Sequence, residues 1–137
     1  MVGLRGRALR VAAALIGALT LGACTANTPP PILLTVRATE YQMAASVEGT
    51  VTLSPSGCYQ LEGQPLVWPA GSVLSGQTVR LPDGRTIASG ARIAGGGGIL
   101  AAADVWGLLD PASQQHASQC LGAGTVEVAV VQTIQAS

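Results

Sequence analysis

The stretch SVEGTVTLSPSGCYQL (residues 46–61) gives the clearest indication of the fold in this chain. Val47, Val51 and Leu53 alternate with polar residues, which places them on one face of an extended segment. The SPSG sequence at 54–57 is typical of a turn, and a second short strand is expected to begin at the cysteine that follows it. We therefore predict two neighbouring strands with one buried face.

The rest of the chain combines short extended segments with turn residues in the same way. Further strands are predicted at residues 33–39, 65–69, 79–81, 85–87 and 125–134. In VRLPDGRTI, the Pro-Asp-Gly sequence predicts a hairpin turn, because proline presets φ and glycine accepts a left-handed conformation. In the last strand we expect Val126, Val128 and Val130 to share one face.

A short helix is predicted at DPASQQHASQC (110–120), with Asp110 as its N-cap and Pro111 in its first turn. About seven short strands with frequent turns and a single helix predict an all-β domain. We expect a small antiparallel barrel, partly open and of the oligonucleotide/oligosaccharide-binding type. The alternative is a sandwich of two sheets.

Four consecutive glycines, 95–98, suggest a nucleotide-binding loop at first sight. The dinucleotide fingerprint requires a third glycine five positions after the first, where this chain has Leu100, and it requires a helix afterwards. In a β context, such glycines more often mark a bulge, a sharp bend or a close approach of two backbones. The alternative is a flexible lip over a binding site.

The amino-terminal segment has the pattern of an export signal. Arg5, Arg7 and Arg10 precede the apolar run VAAALIGALTL (11–21), which is shorter than the about 20 residues that span a bilayer. The run ends in Leu-Gly-Ala-Cys (21–24), which resembles the lipobox of bacterial lipoproteins. VWP, DG and the glycine run loosely resemble small exported lipoproteins of high-GC Gram-positive bacteria.

The lipobox resemblance implies that Cys24 carries a diacylglyceryl group and becomes the acylated first residue of the mature chain. Two or three fatty chains are enough for stable membrane anchoring, whereas one binds only marginally. Residues 1–23 would then be the signal peptide, 24–32 the lipidated cysteine with a proline-rich tether, and 33–137 a single β-domain. The expected location is the extracytoplasmic face of the cell membrane.

Composition excludes several functions for the mature domain. After removal of residues 1–23, four arginines face seven acidic residues, and the chain contains no lysine. A net charge of −3 argues against nucleic-acid binding, which needs a basic surface. The absence of lysine excludes a Walker-type phosphate loop and a lysine Schiff base.

The two remaining cysteines, Cys58 and Cys120, are predicted to form a disulfide, since the domain is expected to be exported. As free thiols they would instead offer a catalytic pair or metal ligands with His116, the only histidine. Glu48 and Glu127 are a further candidate pair for glycoside hydrolysis, although a solvated sheet face explains them better.

Aromatic residues are the remaining candidates for a binding site, because the chain has only four of them: Tyr41, Tyr59, Trp68 and Trp106. Each is either a core anchor or an exposed platform for a sugar or peptide. No cofactor or metal is expected. We predict a non-enzymatic lipoprotein that binds an envelope protein, a glycan or a small apolar ligand. The alternatives are an envelope-acting hydrolase and an accessory subunit.

Overall fold

The computed structural model describes residues 30–135. The predicted signal peptide, Cys24 and most of the predicted tether lie outside these residues. The strands are β1 (Ala45–Leu53), β2 (Tyr59–Leu61), β3 (Gln64–Val67), β4 (Val73–Ser75), β5 (Thr78–Arg80), β6 (Thr86–Ile87), β7 (Arg92–Ala101) and β8 (Glu127–Ile134). The helices are α1 (Ala102–Val105) and α2 (Pro111–Cys120), with a 3₁₀ turn at Trp106–Leu108.

Five strands form a closed barrel in the order β1-β2-β3-β8-β7, with β7 returning to β1. All neighbours are antiparallel except β3 and β8, which run parallel with Leu66 opposite Ala129. The prediction of an all-β barrel with a short helix before the last strand is confirmed. The barrel is closed rather than partly open, because each of its five strands pairs on both edges.

The glycine run lies within β7 and is a bulge, as the β context indicated. The register between β7 and β8 shifts between Gly96 and Gly97. A Cβ atom at Gly97 would collide with the carbonyl oxygen of Val130, and one at Gly95 with that of Thr133. Glycine is therefore required here by the close approach of two backbones.

The barrel has two apolar cores, one inside it and one outside. The inner core includes Val47, Val51, Tyr59, Leu61, Leu66, Trp68, Val79, Leu81, Ile93, Ala129 and Val131. The outer core lies between the barrel wall and α2, and includes Leu34, Val36, Val67, Val105, Leu109, Ala117, Leu121, Val128 and Val130. Strand β8 is thus buried on both faces.

The expectation that Val126 shares the buried face of Val128 and Val130 is wrong. Val126 is 75% exposed, because the strand begins only at Glu127 and Val126 belongs to the preceding connection.

A separate three-stranded sheet, β4-β5-β6, places apolar side chains against the inner core. Val79 and Leu81 are buried there, and Ile87 packs beside them. The predicted hairpin is confirmed: the Leu81 amide donates to the Arg85 carbonyl at 2.7 Å, and Gly84 has a φ of 91°.

Residues 33–39 do not form the predicted strand. Thr35 bridges Trp68, and Val36 bridges Leu109, so successive residues bond to different elements instead of following one neighbour. The alternating sequence pattern nevertheless predicted correctly that Leu34 and Val36 are buried. Ile32, placed in the tether by sequence, already donates to the Gly57 carbonyl at 2.7 Å.

Helix α2 begins as predicted, with Pro111 in its first turn and the Asp110 side chain accepting from the Ser113 amide at 2.8 Å. Cys58 and Cys120 form a disulfide with their Cα atoms 5.6 Å apart. The bond ties the start of β2 to the end of α2. Within residues 30–135, no helix has the length and apolar character needed to cross a membrane.

Candidate functional site

An exposed segment without regular structure, residues 37–44, crosses the barrel surface before β1 and is called the strap here. Its beginning is fixed by the Arg37 amide, which donates to the Leu108 carbonyl at 2.8 Å. Its middle is held by Gln132 of β8. The Gln132 Nε2 donates to the Tyr41 carbonyl at 3.0 Å, and the Gln132 Oε1 accepts from the Met43 amide at 2.6 Å.

A groove of about 350 Å³ lies beside the strap. Its lining residues are Val36, Arg37, Thr39, Tyr41, Met43, Leu100, Asp104, Leu108 and Gln132. Ligand sites in proteins are typically concavities of roughly 300–1,000 Å³ with mostly apolar walls and a few polar groups. This groove has both properties.

Gly98 of the glycine run lies next to two groove residues. A Cβ atom at Gly98 would lie 3.4 Å from the Met43 Sδ and 3.9 Å from the Leu100 Cδ2. Met43 and Leu100 are partly buried and pack against the outer core. Both distances are those of ordinary van der Waals contact, so Gly98 adjoins these two groove residues and an alanine would fit there.

The groove also has one positive and one negative side chain, Arg37 and Asp104, both exposed. Within residues 30–135 the salt bridges join Arg85 to Asp83 and Arg92 to Glu48, so Arg37 and Asp104 have no ionic partner there. The Arg37 guanidinium makes one long hydrogen bond, from Nη2 to the Leu109 carbonyl at 3.4 Å. Both charges remain accessible to a ligand.

A second hollow of about 400 Å³ lies on another side of the strap and shares Val36, Arg37, Thr39 and Gln132 with the groove. Its other charged residues, Asp83 and Arg85, form an ion pair at 2.7 Å. Hydrogen bonds from Arg85 lower the pKa of Asp83 despite a smaller opposing effect of desolvation. Since these charges satisfy each other, the apolar groove is the better candidate site.

The four aromatic candidates are separated by the fold. Tyr41 lines the groove and is 72% exposed, whereas Trp106 is 38% exposed on the 3₁₀ turn and outside the groove lining. Tyr59 and Trp68 are buried in the barrel, with their rings edge to face at 5.5 Å. Tyr59 and Trp68 are therefore core residues, and the predicted ligand-stacking role does not apply to them.

The buried pair has its own polar arrangement. The Tyr59 hydroxyl donates to the Gln77 carbonyl at 2.9 Å, and burial raises the pKa of this hydroxyl. The Trp68 Nε1 has no hydrogen-bond partner among the described residues. Such an atom costs free energy when buried, and it faces none of the hollows described above.

The residues considered for catalysis are not brought together. The disulfide uses both sulfurs that a Cys/His pair would need, and His116 is exposed on α2. Glu48 lies 3.7 Å from Arg92, while Glu127 accepts from Gln64 at 2.9 Å, and the two carboxylates line different hollows. Over residues 30–135, no three His, Cys, Asp or Glu side chains are grouped to hold a metal ion.

One polar cluster was only partly anticipated by sequence. The Thr35 Oγ1 donates to Asp110, the Thr35 amide donates to the Ser113 Oγ at 2.9 Å, and Asp110 caps α2. Burial acts to raise the pKa of Asp110, but the hydrogen bonds from Thr35 and Ser113 together lower it. The cluster fixes the segment before the strap to the start of α2.

Apart from Tyr41, the groove residues were missed by sequence reasoning. Arg37 and Asp104 are single charges without a motif, and Met43 is an ordinary apolar residue. Met43 and Gln132 are 89 positions apart, so no local pattern connects them. Comparisons of this chain with protein-family models, curated proteins and solved structures found no match.

Proposed function

We propose that this protein is a lipid-anchored, non-enzymatic binding protein of the cell envelope, and that the groove beside the strap is its ligand site. The observation that supports this proposal is a mostly apolar concavity of about 350 Å³ with an exposed tyrosine and two unpaired charges. The ligand that fits such a lining is a small molecule with a substantial apolar part. A glycan or an envelope protein fits less well, because two of the four aromatic residues are buried.

Anchoring is proposed from the sequence alone, through Cys24 and the apolar run before it. Mass spectrometry of the wild-type chain from its bacterial host should show a chain that begins at residue 24 and carries diacylglyceryl and acyl groups there. The Cys24→Ser chain should lack these groups and keep residues 1–23. An unmodified Cys24 in the wild-type chain contradicts the anchor.

Ligand binding is tested with N-phenyl-1-naphthylamine, a neutral apolar dye, titrated into the full chain carrying Cys24→Ser. We expect one saturable site. Tyr41→Ser should weaken dye binding about three- to tenfold, because a buried aromatic contact contributes roughly 1 kcal/mol. Both the parent chain and the variant are checked for cooperative unfolding.

Val126→Ser is the matched control, since Val126 is equally exposed but lies outside the groove lining. It should leave dye binding unchanged. The absence of saturable binding, or equal weakening by both variants, contradicts the groove as the site. Turnover of envelope glycan or peptide by the purified chain contradicts the non-enzymatic role.

A further inference from the structure

We infer that the groove selects a zwitterionic amphiphile: one apolar chain with a phosphate-type anion and an ammonium group at the same end. This inference rests on the proposed function and names the ligand class of that site. It depends on which charges line the groove, which the dye-binding proposal does not use.

The apolar chain has a continuous surface to contact. Val36, Leu100 and Leu108 line the groove together with Met43, whose thioether is unbranched and adapts to irregular shapes. Tyr41 adds an exposed ring at the strap. An amphiphile gains roughly 0.8 kcal/mol for each methylene it buries here, so several methylenes suffice for measurable affinity.

The charged end has two partners of opposite sign. Arg37 offers a guanidinium whose fork of donors matches a phosphate or carboxylate, and Asp104 offers an anion for an ammonium group. No salt bridge of 4.0 Å or less joins them to each other or to another described residue. A ligand with both charges offers a partner to each, whereas a purely anionic ligand leaves Asp104 without an ionic partner.

The geometry of the strap keeps the cationic partner in place. Arg37 is anchored through its backbone amide to Leu108, which also lines the groove. Asp104 lies on α1, which continues directly from β7. The backbone at both charged residues is thus attached to neighbouring elements of the fold.

The experiment uses three single-chain amphiphiles of equal chain length, below their critical micelle concentrations: lysophosphatidylethanolamine, lysophosphatidylglycerol and an alkyl maltoside. Each is titrated calorimetrically into the full chain carrying Cys24→Ser. We expect the phosphoethanolamine ligand to bind most tightly. An exposed ion pair contributes roughly 0.2–1 kcal/mol, so each pair should change affinity by about two- to fivefold.

Two variants separate the charges. Arg37→Gln should weaken both phosphate-containing ligands about two- to fivefold and leave the maltoside unchanged. Asp104→Asn should weaken only the phosphoethanolamine ligand. Arg92→Gln and Glu48→Gln are the matched controls, because this exposed ion pair lies outside the groove lining.

The outcomes distinguish the two proposals. Equal affinity for all three headgroups, or no effect of Arg37→Gln and Asp104→Asn, overturns the inference and leaves the apolar site intact. If none of the three amphiphiles binds while the dye still binds saturably, the inference alone fails; if neither the dye nor any amphiphile binds, the proposed function fails as well.

Discussion

At the scale of single residues, Asp110 contributes to stability through its charge as well as through its position. It caps α2, accepts from Thr35 and has a pKa below the ordinary aspartate value. A lowered folded-state pKa means that folding favours the ionised form. The resulting stabilisation is complete above about pH 5 and is lost as the pH falls through the folded-state pKa.

We predict that Asp110→Asn, which preserves a capping side chain, lowers the free energy of unfolding by about 1 kcal/mol at pH 7. The difference from wild type should shrink as the pH falls below the ordinary aspartate pKa, because wild-type Asp110 then takes up a proton and loses its charge. Urea denaturation between pH 2.5 and 7 measures this difference in the free energy of unfolding. The Glu40→Gln variant, changed at an exposed residue, is the control. A difference that does not change with pH contradicts the role of the charge.

Gly97 tests the close approach of β7 and β8. Replacing it by alanine should destabilise the protein by about 1–3 kcal/mol, because the Cβ would collide with the Val130 carbonyl and the strands would have to separate. Gly98→Ala is the control within the same run, since its Cβ meets only side chains at 3.4 Å or more. If the Gly97→Ala and Gly98→Ala variants had equal thermal stability, the close approach of β7 and β8 at Gly97 would be refuted.

Residue-level features with a local cause were the most predictable. Asp110 and Pro111 identified the helix start, and Gly84 identified the hairpin, because caps and turns depend on neighbouring residues. Thr35 was not recognised as a partner of Asp110, since the two are 75 positions apart. The burial of Thr35 was not predicted either, because a polar side chain is expected on an exposed face.

At the scale of elements, the middle of the strap is held by a single side chain, that of Gln132. Gln132→Ala removes both hydrogen bonds to the strap backbone, at Tyr41 and Met43. We predict that exchange of the Met43 amide becomes about tenfold faster, since each lost bond contributes roughly 1 kcal/mol. Hydrogen exchange followed by mass spectrometry measures this.

Gln119→Ala, on the exposed face of α2, is the control for that experiment and should leave strap exchange unchanged. If the Met43 amide exchanges at the same rate in all three proteins, Gln132 does not hold the strap. Faster exchange throughout the barrel would instead indicate a global loss of stability.

Elements with strict alternation were predicted well, as β1 shows, because one of its faces is buried and the other is exposed. Strand β8 was predicted too, with Val128 and Val130 buried as expected, but the burial of its opposite face, with Ala129 and Val131, was not. The strap and the groove could not be found, because they depend on which distant elements meet.

At the scale of the whole molecule, the disulfide links the barrel to its outer helix across 62 positions. Replacing Cys58 and Cys120 together by serine should lower the free energy of unfolding by about 4 kcal/mol in the chain-entropy model. Chemical denaturation measures it against the chain carrying only Cys24→Ser. A loss below about 1 kcal/mol would show that the bond contributes little to the domain's stability.

Barrel closure was only partly predictable. The number of short strands indicated a barrel, and the disulfide followed from the two remaining cysteines. The parallel pairing of β3 with β8 has no local signal, since it depends on the chain crossing between them.

The most direct test of the proposed binding site uses Met43, one of only two methionines in the chain and a groove residue. The full chain carrying Cys24→Ser is labelled with methyl-¹³C methionine, the Met43 signal is assigned with Met43→Leu, and lysophosphatidylethanolamine is added. We predict a saturable shift of the Met43 methyl signal, with the midpoint found by calorimetry. A Met43 signal that stays in place while the ligand is bound to saturation would contradict the groove as the binding site.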